Sequence, residues 1–116
     1  MQPTREWTCG YASASQAGDY LQVLFKATDA DDKRYVLIQS QFEFPQNYDV
    51  KIEADGGEWY AELCVDRAML DRKRMSISGR DEGVAVRIIV NHVADDETYS
   101  NLARVLETML PKIVVQ

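Results

Sequence analysis

The sequence predicts an α+β fold: an antiparallel meander sheet of five or six strands with one C-terminal helix packed on one face. Three observations point there. Six segments alternate apolar and polar residues with a period of two, the connections between them are short and rich in Asp and Gly, and one C-terminal segment repeats with a period of 3.6. At 116 residues and 13.2 kDa the chain is read as a single domain, 1–116, large enough to bury a core without disulfides or metal.

The strands follow in order. Tyr20 to Ala27 places Leu21, Val23, Phe25 and Ala27 on one face. The acidic run Asp29-Ala30-Asp31-Asp32-Lys33 reads as a turn, because Asp side chains bond nearby backbone amides. Arg34 to Phe44 alternates again, with Val36, Ile38, Phe42 and Phe44 aligned, and Pro45 breaks it. Val50, Ile52 and Ala54 make a short strand before Asp55-Gly56-Gly57, a tight-turn signal. Glu58 to Val65 returns, with Trp59, Ala61, Leu63 and Val65 opposite Glu58, Tyr60, Glu62 and Cys64. Asp66 to Asp71 reads as a turn or one helical turn. Lys73, Met75 and Ile77 give a further strand, the two glycines in Ser78 to Gly83 mark a turn, and Val84, Val86, Ile88 and Val90 form the clearest strand.

The helix carries Tyr99, Leu102, Ala103, Leu106, Met109 and Leu110 on one apolar face. Asp95 or Asp96 suits its N-cap, and Pro111 ends it. Near the N-terminus, Thr4 to Tyr11 reads as an edge strand and Ala12 to Gly18 as a loop. One helix covers one face of a sheet. The other would present Tyr20, Gln22, Leu24, Tyr35, Leu37, Gln39, Tyr60, Arg87 and Ile89, a mixture suited to a partner surface or to a second copy of the chain.

The formal charge is −6, with 13 basic and 19 acidic residues. Nucleic acid is therefore not an expected partner, since phosphate binding calls for surplus Lys and Arg. Residues 1–65 hold 5 basic and 11 acidic residues, whereas residues 66–80 hold 5 and 2. No apolar run is long enough to span a membrane, and no basic stretch followed by an apolar one opens the chain, so the expected location is cytoplasmic. Cys9 and Cys64 fit no zinc spacing and no CxxC motif, and are expected as reduced thiols.

Chemical motifs are sparse. His92 is the sole histidine and stands at a strand end, a structural position more than a catalytic one. Asp29, Asp31 and Asp32 begin like a calcium loop, but Arg34 occupies the glycine position and Ser40 the final glutamate position. Glu58 and Glu62 would lie about 13 Å apart along a strand, beyond the ~5–9.5 Å of glycosidase carboxylates. No catalytic residue, cofactor or metal is assigned.

The order of elements resembles a known family. Arg34-Tyr35-Val36-Leu37-Ile38-Gln39-Ser40 is followed by Asp49 to Glu53, the Asp55-Gly56-Gly57 hairpin, Trp59 to Val65, and Val86 to Val90 running into Asp95-Asp96-Glu97 and a helix with Leu102 and Leu106. Over residues 20–110 this layout resembles the family numbered ten among the immunity proteins of bacterial polymorphic toxin systems. It departs in lacking the Tyr-Gly-Gly segment of that family. The resemblance implies a cytoplasmic protein that binds and blocks a toxin domain. The acidic surplus would steer a basic partner, with Asp29, Asp31, Asp32, Asp55 and Glu58 as charged contacts and Tyr35 and Tyr60 as aromatic anchors. Two other classes fit a small acidic α+β domain. One is a type III secretion chaperone, which would open with an amphipathic helix where this chain has Gly10, Gly18 and a Ser-Ala-Ser run. The other is a small-ligand binder with a pocket between helix and sheet.

Overall fold

A computed structural model describes residues 4–18, 20–27, 34–41, 49–110 and 112–116. The described residues form nine strands and one α-helix: β1 Thr4–Cys9, β2 Tyr11–Ala17, β3 Tyr20–Lys26, β4 Tyr35–Gln41, β5 Asp49–Ala54, β6 Trp59–Leu70, β7 Arg74–Asp81, β8 Val84–His92, α1 Asp96–Met109 and β9 Val114–Val115. The α+β class holds. The strand count and the all-antiparallel meander do not: the sheet is mixed, with order β1-β8-β7-β6-β5-β4-β3-β2 and β9 paired to β6. From β2 to β8 each strand pairs antiparallel with the next in the chain, and both β1–β8 and β6–β9 are parallel.

The two ends of that order, β1 and β2, are consecutive in the chain with only Gly10 between them. One N-terminal stretch thus pairs with β8 through its first half and with β3 through its second, and the sheet rolls up. Side-chain contacts report the curvature. The Trp7 ring of β1 lies 5.8 Å from Trp59 of β6, although three strand steps would separate them by ~14 Å in a flat sheet.

Nearly all the burial is on the inner face. Phe25, Val36, Ile38, Ile52, Leu63, Ile77, Ile88 and Val90 are fully buried there, and register aligns them: Phe25 with Val36, Ile38 with Ile52, Ile77 with Ile88. The helix lies against β2 and β3. Leu102, Val105 and Leu106 are fully buried, and Ala12 and Ala14 on β2 leave room for close approach. The Asn101 side-chain amide donates to the Ala14 carbonyl at 2.9 Å. Asp95 is the N-cap, accepting the Thr98 N–H at 2.7 Å, and hydrogen bonding holds its carboxyl below the usual range. One core runs from Trp7 to Leu110.

Three local expectations need correction. Tyr11–Ala17 is a strand, not a loop; it buries alanines, so its alternation carries little hydropathy contrast. Asp66 to Asp71 is not a turn through most of its length, because β6 continues to Leu70. A β-bulge between Val65 and Arg67 shifts the register there, so inward positions pass from Leu63 to Ala68 and Leu70. Nor does Gly79 mark a turn. It lies inside β7 opposite the bulge, and the chain reverses at Glu82 and Gly83, between the paired Asp81 and Val84. A Cβ at Gly79 would stand 2.4 Å from the Cys64 carbonyl oxygen, so the bulged strand approaches too closely for a side chain.

Candidate functional site

The outer face of β4, β5 and β6 gathers the tyrosines singled out in the sequence. Alternation turns Tyr35 and Leu37, then Lys51 and Glu53, then Tyr60, Glu62 and Cys64 away from the core. Register sets Leu37 and Tyr60 on either side of Glu53, and Lys51 opposite Glu62. The Tyr35 hydroxyl donates to Glu53 Oε2 at 2.9 Å, and the Tyr60 hydroxyl donates to Glu62 Oε1 at 2.9 Å. Each hydrogen bond to a carboxylate is the leading cause that raises the phenol pKa, so both hydroxyls stay protonated donors. Tyr60 is 54% exposed despite that anchor.

Beside Tyr60 an open groove of about 540 Å³ runs between β6 and the end of β7, lined by Tyr60, Glu62, Cys64, Arg80, Asp81 and Glu82. Arg80 is the one base among these lining residues. An aromatic ring with three carboxylates suits the cationic side chain of another molecule. Glu62 shares the outward face of its strand with Tyr60 in the sequence, and its period-two spacing from Tyr60 is the signal that joins them. Asp81 and Glu82 carry no such signal, because their place beside Tyr60 depends on the register across the bulge.

The other predicted contacts are dispersed. Asp55 points to the opposite side of the sheet: its carboxylate accepts the Trp7 indole N–H, with oxygens at 3.2 and 3.3 Å. It belongs to a cluster with Trp7, Trp59 and Arg5, whose guanidinium lies 5.3 Å from the Trp59 ring centre. Backbone geometry explains the turn inward. Asp55, Gly56 and Gly57 form a tight turn with φ of 56°, 73° and 88°, left-handed values that glycine adopts without strain and Asp tolerates. Glu58 is exposed in the same turn and precedes β6 instead of starting it. Asp29, Asp31 and Asp32 lie outside the described residues. Ile89, expected on the open face, is buried.

Cys9 is buried and Cys64 exposed, and neither forms a disulfide. Among the described residues no group of three or more His, Cys, Asp and Glu is placed to hold a metal ion, and no helix is long and apolar enough to cross a membrane. No protein-family model matches the chain, and neither a curated protein nor a solved structure matches it.

Proposed function

We propose that this chain is a small acidic cytoplasmic binding protein that occludes a basic protein partner, in the manner of an immunity protein blocking a toxin domain. The observation that carries the reading is the exposed Tyr60 ring, pinned by Glu62 at the edge of a groove that also holds Asp81 and Glu82. A ring held in place before contact loses little side-chain entropy on binding. It offers a face to an Arg or Lys, while the carboxylates steer that cation during encounter. Tyr35 and Glu53 extend the surface across β4 and β5. The function is steric: no reaction step is assigned to these residues.

The test is co-purification from the native host with the wild-type chain and with Tyr60→Ala as bait. A basic protein retained by the wild type and lost with the variant supports the reading. Retention of a second copy of the chain alone, or of a partner indifferent to Tyr60, overturns it.

A further inference from the structure

A second groove, of about 990 Å³, lies where β1 and β8 end, away from the tyrosine face. Its walls are Thr8 and Cys9, the Asp71-to-Arg74 turn, and Val93 and Ala94, which lead into α1. His92 also lines it. That imidazole is only 3% exposed, and neither Nδ1 nor Nε2 makes a hydrogen bond of ordinary geometry, although the Asp71 backbone lies close enough to favour the protonated ring. Leaving a buried polar group unsatisfied is costly, so an orphaned imidazole in a groove wall calls for a partner.

The charges around it are mostly committed. Arg72 pairs with Asp96 and lies over the Tyr99 ring at 4.9 Å. Arg74 Nε donates to Asn91 Oδ1 at 3.1 Å, and Asn91 in turn donates to Glu6 at 2.7 Å. Asp71 Oδ1 accepts the backbone N–H groups of Lys73 and Arg74, at 2.8 and 2.7 Å. Neither the Lys73 ammonium nor the Arg74 guanidinium pairs with an acid among the described residues, and only the guanidinium has a side-chain hydrogen bond, to the neutral Asn91 amide. The groove therefore offers one ammonium with no bonded partner, a buried ring able to donate one N–H, and the apolar surfaces of Val93 and Ala94.

We propose that this groove binds a small organic monocarboxylate with an apolar body, one oxygen meeting the His92 ring N–H and the other the Lys73 ammonium. A carboxylate presents one oxygen to each of these two donors. A phosphate dianion would place a second negative charge near Asp71 and Asp96. The ring nitrogens are sealed from solvent, so entry must part the Asp71-to-Arg74 turn from the strand end. One backbone hydrogen bond crosses that seam, from the His92 N–H to the Lys73 carbonyl at 2.9 Å.

The test is an NMR titration of the full ¹⁵N-labelled chain at neutral pH with sodium benzoate and, separately, sodium hexanoate. The expected result is a saturable shift of the His92 ring nitrogens together with the Lys73 and His92 backbone amides. Lys73→Met, an exposed substitution, should weaken binding about tenfold, the scale of one charge-assisted hydrogen bond. His92→Phe keeps an aromatic ring at the position and should fold, yet bind at least as weakly. Inorganic phosphate should leave the His92 ring unshifted. The proposal is overturned by shifts that do not saturate at millimolar carboxylate, by binding unchanged in both variants, or by phosphate binding as tightly. Zinc titrating the ring nitrogens stoichiometrically, with neither carboxylate binding, would also overturn it.

Discussion

The imidazole of His92 on β8 lies 5.5 Å from the ring of Phe25 on β3, tilted by 40°. Five strand steps separate β8 from β3 in the sheet order, ~24 Å in a flat sheet. Phe25 is fully buried, so this contact closes the rolled sheet over its core and places the histidine among apolar groups. Burial is the leading cause that lowers the His92 pKa below 6.5, while the Asp71 backbone and carboxylate act the other way.

The consequence for stability follows from linkage. Above about pH 6.5 the ring is neutral folded and unfolded, and it adds no pH dependence. As pH falls below that value the unfolded chain takes up a proton that the folded chain resists, so stability declines until the folded pKa is reached. Urea midpoints measured from neutral pH down to about pH 5 should fall more steeply for the wild type than for His92→Phe. At neutral pH the variant should be close to wild type or more stable, because replacing orphaned polar atoms with an apolar ring of similar shape costs little. Parallel pH profiles would show that His92 carries no such burden.

Gly79→Ala tests the close passage of β7 past the β6 bulge. The new Cβ would meet the Cys64 carbonyl oxygen at 2.4 Å and the Val65 Cα at 3.0 Å, both backbone atoms that no rotamer change can move aside. The expected loss is about 1–3 kcal/mol, the range for overpacking a tight site. Urea unfolding with an unchanged m-value and a lower midpoint is the readout, and an unshifted midpoint would mean that the strands separate freely there.

Asp55→Ala tests the inward role of a residue that the sequence assigns to a partner surface. The substitution removes the acceptor of the Trp7 indole N–H and places alanine at a φ of 56°. Both effects destabilise, by about 1–3 kcal/mol together. Asp55→Asn keeps an oxygen acceptor and tolerance of left-handed backbone, so it should recover most of the loss. Tryptophan emission should shift to the red in the alanine variant alone. Equal stability of all three proteins would leave Asp55 free for an outside contact.

Sequence alone shows those elements whose burial contrast is strong and unbroken. The face of α1 that holds Leu102 and Leu106 is readable at a period of 3.6, and Val86, Ile88 and Val90 at a period of two. The second half of β6 is hidden because the bulge at Asp66 breaks the phase that Trp59 to Val65 establishes. Closure is hidden as well, since it depends on contacts such as Trp7 with Asp55, 48 residues apart, and on a strand whose buried positions are alanines. The candidate site divides in the same way. Tyr35 and Tyr60 share a face by alternation within their own strands, whereas Asp55 sits at a turn where alternation stops predicting direction.

The outer-face reading makes a kinetic prediction that separates the ring from the charges around it. Glu62, Asp81 and Glu82 line an open groove, so they act on an approaching cation mainly through long-range attraction that salt screens. Once the complex forms, the 54% exposed face of Tyr60 supplies area that only direct contact covers. With the basic partner in hand, Glu62→Gln and Asp81→Asn should slow association several-fold and flatten its salt dependence, leaving dissociation nearly unchanged. Tyr60→Ala should speed dissociation by about tenfold or more with little change in the on-rate. Glu62→Gln also loosens the hydroxyl anchor of Tyr60, so it should show a small off-rate effect that Asp81→Asn lacks. Stopped-flow association across a salt series, paired with surface plasmon resonance for dissociation, measures both rates. Equal on- and off-rate effects from every variant would mean that these residues lie at the rim of the interface and that the anchoring contact is elsewhere.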